Sequence, residues 1–167
     1  WAVNHLAPFL LTQKLLPLLK NAPEARVITV SSQNHSWTHM HWKDVQLHRT
    51  YNGLTAYSQS KLANVLFTLG LNQNLEANSS IRAYVVDPGL VNTDIAFKGT
   101  PLLVRWIWSI RKKSAVSPAQ SAAGILSIFD QPIQAFPDFI YWKDGKPRKP
   151  ARRAANPIDA QHLWEIS

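Results

Sequence analysis

The sequence contains no cysteine, which excludes a disulfide scaffold, a Cys-ligated zinc site and a thiol nucleophile. Absent thiols fit a reducing compartment, and a cytoplasmic location is expected. Glycine is scarce, with six in 167 residues, and no three-residue period runs through the chain, so collagen-like and fibrous classes are excluded. Methionine occurs once, at Met40, and the first residue is Trp1. The opening stretch has no basic start and no small-residue cleavage site, so it does not read as a signal peptide. It reads instead as the interior of a longer protein. Long uninterrupted apolar runs are also missing. The first apolar block, residues 3–19, contains Pro8, Gln13, Lys14 and Pro17, which makes it a poor transmembrane span. Acidic residues are few, 10 against 18 Lys and Arg, for a net charge of +8.

Apolar residues make up 46% of the chain and charged residues 17%, which excludes wholesale disorder. The length suits one domain with a single sizeable core. Much of the positive charge sits in two clusters. Lys143, Lys146, Arg148, Lys149, Arg152 and Arg153 sit together with a single acid, Asp144, among them, and Arg111, Lys112 and Lys113 stand together. Such a balance suits anionic ligands, acidic membranes or nucleic acid.

Hydrophobic spacing organises the rest. Residues 3–19 carry apolar side chains at helical intervals, with Pro8 and Pro17 predicting a kinked or late-starting helix. Residues 26–31 form a short β-branched run that reads as a buried strand. Residues 32–53 are polar and rich in His and Trp, and read as a long loop of the kind that carries function. Residues 55–77 hold no proline and repeat apolar residues at Leu62, Val65, Leu66 and Leu69, the best helix in the chain. A second strand is predicted over 81–86, ended by Asp87-Pro88-Gly89. Ser117-Pro118 opens a helix to about residue 129. Residues 139–142 suggest a third strand ended by Asp144-Gly145, and Asn156-Pro157 opens a short last helix. Strands alternating with helices predict an α/β layer fold with parallel pairing.

Three places combine chemistry with position. Tyr57 and Lys61 lie four apart on the best helix and so share one face. An ammonium beside a phenol favours the phenolate, and a tyrosine so placed can exchange a proton with a substrate oxygen. Ser31-Ser32 follows a strand directly, at the sheet edge where open α/β folds bind ligands, and a hydroxyl there can hold a substrate oxygen. Asp87-Pro88-Gly89-Leu90-Val91-Asn92-Thr93 also follows a strand, with Gly89 allowing close backbone approach to a ligand. Read singly, each is more readily a solvated helix pair, a strand end or an ordinary turn.

Together, Asn4-His5-Leu6, Val30-Ser31-Ser32, Tyr57-Ser-Gln-Ser-Lys61-Leu-Ala-Asn64 and Asp87-Pro-Gly89-Leu-Val-Asn-Thr93 occur in the order seen in short-chain dehydrogenases/reductases. The run from Tyr57 to Thr68, the gap between Ser32 and Tyr57, and the closing Leu163-Trp-Glu-Ile-Ser167 resemble the retinol-dehydrogenase-like branch of that family. The resemblance implies the C-terminal portion of a doubly wound parallel-sheet Rossmann fold, with about three neighbouring parallel strands and flanking helices over residues 1–167. It implies hydride transfer between a nicotinamide cofactor, NADP with NAD as the alternative, and an apolar alcohol or carbonyl substrate. Carried over by motif, Tyr57 is the general acid/base, Lys61 holds the nicotinamide ribose, Ser32 orients the substrate oxygen, and Asn4 braces the helix and positions a relay water. Pro88, Gly89, Val91 and Thr93 line the nicotinamide end of the cofactor. Leu102, Trp106 and Trp108 fall where the family places a substrate lid, and the basic end of that segment allows peripheral membrane contact. Homo-oligomer formation is expected through helices 2–20 and 55–77.

The departures are specific. The family's T-G-x-x-x-G-x-G turn and N-N-A-G strand end do not occur in the sequence, so the dinucleotide-binding first half of the domain is expected to be absent, the first strand to expose an edge, and the chain alone to be inactive. Pro8 and Gly70 interrupt helices that the family keeps regular. Two other readings compete: a non-catalytic remnant that packs with partners, and a basic nucleic-acid-binding module, for which stacking aromatics are missing from the basic cluster. His35, His39 and His41 have no acidic partner at ligand spacing, and no metal is expected.

Overall fold

The computed structural model describes residues 1–76, 79–91, 115–132 and 140–167. Its sheet is built from β1 (Ala25–Val30), β2 (Ile81–Asp87), β3 (Tyr141–Lys143) and β4 (Lys146–Arg148), in that spatial order. The first three strands are parallel neighbours, as the alternation of elements predicts. β2 is central and carries branched or aromatic side chains on both faces, the composition of a strand covered by layers on each side. Within the described residues β1 pairs only with β2.

A fourth strand adds to the three parallel ones that the sequence predicts. β4 pairs antiparallel with β3 through a two-residue turn in which Asp144 and Gly145 both have positive φ, 53° and 67°. This is the backbone geometry that matches strand twist in tight hairpins. Its Lys-Pro-Arg composition hides it in the sequence, yet suits an outer strand, where proline is tolerated and charge blocks further pairing.

One face of the sheet is covered by α2 (Gly53–Asn74), which buries Leu62, Val65, Leu66, Phe67 and Leu71 against Ala83 and Val85. Full burial of each large side chain contributes roughly 1.5–3 kcal/mol. Asn52 caps α2 by accepting from the Leu54 and Thr55 N–H groups, at 3.0 and 3.1 Å. On the other face Tyr84, Val86, Ile128 and Trp142 form a second cluster beside α3 (Pro118–Leu126), whose Ser117 and Gln120 complete a capping box. Asn72 of α2 bonds both the N–H and the C=O of Ala83, each at 2.9 Å, and so takes the place of a neighbouring strand there.

The prolines and glycine that cast doubt on helix quality have local explanations. The chain enters its first helix through a π-helical turn (Ala2–Leu6) and continues as α1 (Ala7–Leu19), with Pro8 in the first turn of α1 and Pro17 inside it. The wider turn gives the Pro8 ring room that the preceding carbonyls of an α-helix would deny it. α2 runs unbroken through Gly70. A Cβ at that position would sit 3.1 Å from the carbonyl oxygen of Ala160 in α4 (Pro157–Ile166), so glycine permits the two helices to cross closely. Among the described residues no helix is long and apolar enough to cross a membrane. Thr93, Leu102, Trp106 and Trp108 lie outside the described residues.

Candidate active site

Parallel pairing places the ends of β1 and β2 on one edge of the sheet, where the chain turns at Ser31-Ser32 and Asp87-Pro88-Gly89. α2 is tied to this edge by three hydrogen bonds. Ser31 Oγ donates to the Lys61 carbonyl at 2.8 Å. Lys61 Nζ donates to the Val30 carbonyl at 3.1 Å, and Asn64 Nδ2 donates to the same oxygen at 3.2 Å. Tyr57, Lys61 and Asn64 lie on one face of the helix, so this clamp sets the position of the tyrosine against the strand end.

The paired serines have separate roles. Ser31 is buried and its hydroxyl proton is committed to Lys61. Ser32 is half-buried, and its Oγ accepts the Asn34 N–H at 3.3 Å as the cap of a 3-10 turn (Gln33–Trp37). An accepting hydroxyl retains its own proton for another acceptor.

Tyr57 is 40% exposed, and the Lys61 ammonium stands 5.7 Å from its ring centroid. In this structure the ammonium bonds the Val30 carbonyl rather than the phenol. Burial holds the Lys61 amine below its ordinary value. Asn4 Nδ2 donates to Ser60 Oγ at 3.1 Å, and Ser60 Oγ donates to the Tyr57 carbonyl at 2.8 Å, so Asn4 supports the backbone that carries the tyrosine. Asn4 and Tyr57 also line a hollow of about 210 Å³ together with Trp1, Leu47 and Tyr51. The loop side of that hollow is pinned by buried Gln59, whose amide accepts the His41 N–H and donates to the Val45 carbonyl.

Behind this face lies His5, fully buried, with Nε2 2.9 Å from Ser167 Oγ. Burial pushes its imidazole down from 6.5 to about 4. Asn64 lies close enough to favour the protonated ring, yet neither His5 Nδ1 nor Asn64 Oδ1 completes a hydrogen bond.

At the β2 end, Gly89 has φ +73°, a conformation that favours glycine, and its N–H donates to Asp87 Oδ1 at 3.0 Å. The Pro88 carbonyl accepts from Ser121 Oγ at 3.0 Å, and Val91 forms a parallel bridge with Val116. Asp87 is 2% exposed, and its Oδ2 takes the Tyr141 hydroxyl at 3.0 Å and Lys143 Nζ at 3.3 Å. Burial and the Asp87 carboxylate push the Tyr141 phenol well up, so it stays a donor. Sequence reasoning missed this hub. Its only local signal is the acidic residue that opens the Asp-Pro-Gly turn. Of the histidines considered for a metal, His35 has both ring nitrogens engaged, with the Ser32 carbonyl and the Ala151 N–H.

The model of the short chain dehydrogenase family matches residues 1–100. The chain belongs to this family. It is 32% identical to human retinol dehydrogenase 14, over 100% of this chain and 50% of that protein. It is 35% identical to mouse retinol dehydrogenase 12, over 100% of this chain and 52% of that protein. Human polyprenol dehydrogenase is 46% identical over 57% of this chain and 30% of its own length. Among solved structures, an uncharacterised protein from Mycobacterium paratuberculosis superposes with a TM-score of 0.64 at 30% identity, over 98% of this chain and 55% of that one. The chain therefore spans about half the length of the curated relatives it matches. These likenesses are to retinol dehydrogenases within that family and agree with the α/β architecture of the sheet and its helices.

Proposed function

We propose that the full-length protein carrying this chain oxidises or reduces an apolar alcohol or carbonyl compound, with Tyr57 as its proton-transfer residue. The carrying observation is the clamp between α2 and the end of β1, which ties Lys61, one helical turn from Tyr57, to the strand end that Ser31 and Ser32 follow. The residues fit the nicotinamide end of a dinucleotide. Among the described residues a Cβ built on Gly89 meets only Asp144 Oδ1, at 3.8 Å, so these residues leave its backbone open to close approach. The sequence resemblance favours NADP, with NAD as the alternative. A nicotinamide group, when bound, gives or accepts the hydride.

The chain's own residues supply the rest. Ser32 holds the substrate oxygen with the proton it retains. Tyr57 takes the hydroxyl proton as an alcohol is oxidised and returns it when a carbonyl is reduced. Lys61 turns from the Val30 carbonyl to the ribose hydroxyls. Asn64 then keeps that carbonyl hydrogen-bonded, which lowers the cost of the movement. Asn4 maintains the backbone under Tyr57 through Ser60. Pro88, Gly89 and Val91 line the cofactor; for Thr93 at the cofactor and for Leu102, Trp106 and Trp108 over an apolar substrate, the sequence resemblance alone is the support. Relatives named for retinol and polyprenol, both apolar alcohols, support this substrate class. The exposed stripe of Val3, Leu10, Leu11, Leu15 and Leu18 supports self-association along residues 2–20.

The test is turnover of a long-chain alcohol by the full-length protein with NADP and with NAD. Tyr57→Phe is expected to lower kcat roughly 10²–10⁴-fold with little change in cofactor affinity. Near-normal turnover by that variant would remove Tyr57 from the mechanism.

A further inference from the structure

Between residues 143 and 153 six basic side chains accompany a single acid, Asp144. Most of them are exposed on the β3–β4 hairpin and on the 3-10 turn (Arg152–Ala155) that follows it. Beside this hairpin lies a hollow of about 470 Å³, separate from the one at Tyr57. Gln33, Lys143, Asp144, Arg148 and Lys149 wall it, and buried Tyr141 and His35 form part of its lining.

The buried part of this lining, His35 and Tyr141, is braced and uncharged. His35 Nε2 accepts the Ala151 N–H at 3.2 Å, which leaves Nδ1–H to donate to the Ser32 carbonyl at 2.8 Å. The Tyr141 hydroxyl is held by Asp87. Lys143 bridges Gln33 Oε1, at 2.8 Å, and Asp87 Oδ2. Among the described residues its 3.3 Å contact is the longest of the three that Asp87 receives, and Gly89 N–H and Tyr141 O–H remain on the carboxylate if Lys143 turns away. Lys143 is thus available to a ligand while the Asp87 carboxylate stays hydrogen-bonded. Among the described residues no carboxylate pairs with Arg148 or Lys149.

We propose that this hollow binds a phosphate-type dianion, with the Arg148 guanidinium as a two-pronged donor and Lys149 and Lys143 as flanking point charges. Lys143, Arg148 and Lys149 outnumber the exposed Asp144 and the buried Asp87 behind it, and the surplus positive charge in a single concave site suits a phosphate-type oxyanion. The inference concerns binding alone, and does not depend on the hydride-transfer reading.

The test titrates the isotopically labelled 167-residue chain with inorganic pyrophosphate at 0.15 M salt, following backbone amides by NMR. Saturable shifts confined to the residues around the hollow are expected. The pair Arg148→Ala and Lys149→Ala should raise Kd at least tenfold, with the amide spectrum confirming the fold. Lys14→Ala with Lys43→Ala removes equal charge from exposed sites outside the hollow and should leave Kd within twofold. Tighter binding of decyl phosphate than of inorganic phosphate identifies a phosphomonoester of an apolar alcohol as the ligand. Equal or weaker binding identifies the free anion, and either supports the site. The proposal is overturned if shifts do not saturate, if both variant pairs lose affinity alike, if the Arg148 and Lys149 pair binds as the parent does, or if only duplex DNA or lipid vesicles bind.

Discussion

His5→Phe is expected to remove a defined part of the pH dependence of stability. The ring lies fully buried among Trp1, Phe9 and Phe67, with centroids 4.5, 6.2 and 6.3 Å away. Burial is the main reason its imidazole is held at about 4 instead of 6.5, opposed by Asn64 and assisted by the Trp1 ammonium. The unfolded chain therefore binds a proton between about pH 6.5 and 4 that the folded chain refuses. The stabilisation is fully present above that window and is lost as pH falls through it. A tenfold difference in proton affinity corresponds to about 1.4 kcal/mol, and integration from pH 7.5 to 4.5 gives a loss of about 2.5 kcal/mol from this residue. Phenylalanine keeps the aromatic contacts and cannot titrate. Urea unfolding of both proteins at the two pH values, followed by tryptophan fluorescence, measures the effect. His35, also held low by burial, and the carboxylates titrate in both proteins, so the difference between the two isolates His5. The stability gap, parent minus variant, should fall by about 2.5 kcal/mol on acidification. An unchanged gap would refute the burial argument.

Two stability predictions concern the helix that carries Tyr57. Gly70→Val drives a branched side chain toward the backbone oxygen of Ala160 and should destabilise the chain by about 1–3 kcal/mol, read from the urea midpoint at constant m. Asn52→Ala removes the acceptor for the Leu54 and Thr55 N–H groups and should cost about 1 kcal/mol, with amide exchange rising first in the opening turn of α2.

Features written in local spacing were legible in the sequence. The strand over Ile81–Asp87, the helix carrying Tyr57 and Lys61, and the caps at Ser117 and Asn156 follow from short-range pattern and elementary capping chemistry. Features that depend on a distant partner were not. β4 resembles a loop because proline and charge are poor strand formers, and only the neighbouring Tyr141–Lys143 strand gives it a ladder. Gly70 resembles a weak point in its helix until the backbone of Ala160, from the far end of the chain, is found beside it.

By itself, then, the sequence determined the order of elements apart from β4, the common helix face of Tyr57 and Lys61, and the strand-end positions of Ser31-Ser32 and Asp87-Pro88-Gly89. Each follows from helical or strand periodicity, which acts over a few residues. Only the tertiary structure decided that Ser31 commits its hydroxyl to Lys61 while Ser32 keeps its own, and that Lys61 and Asn64 share the Val30 carbonyl. It alone brought Tyr141 and Lys143 to Asp87, across more than fifty residues of chain. Those contacts depend on strand order and register, and a hydrophobic pattern can say that a strand is buried without saying which neighbour buries it.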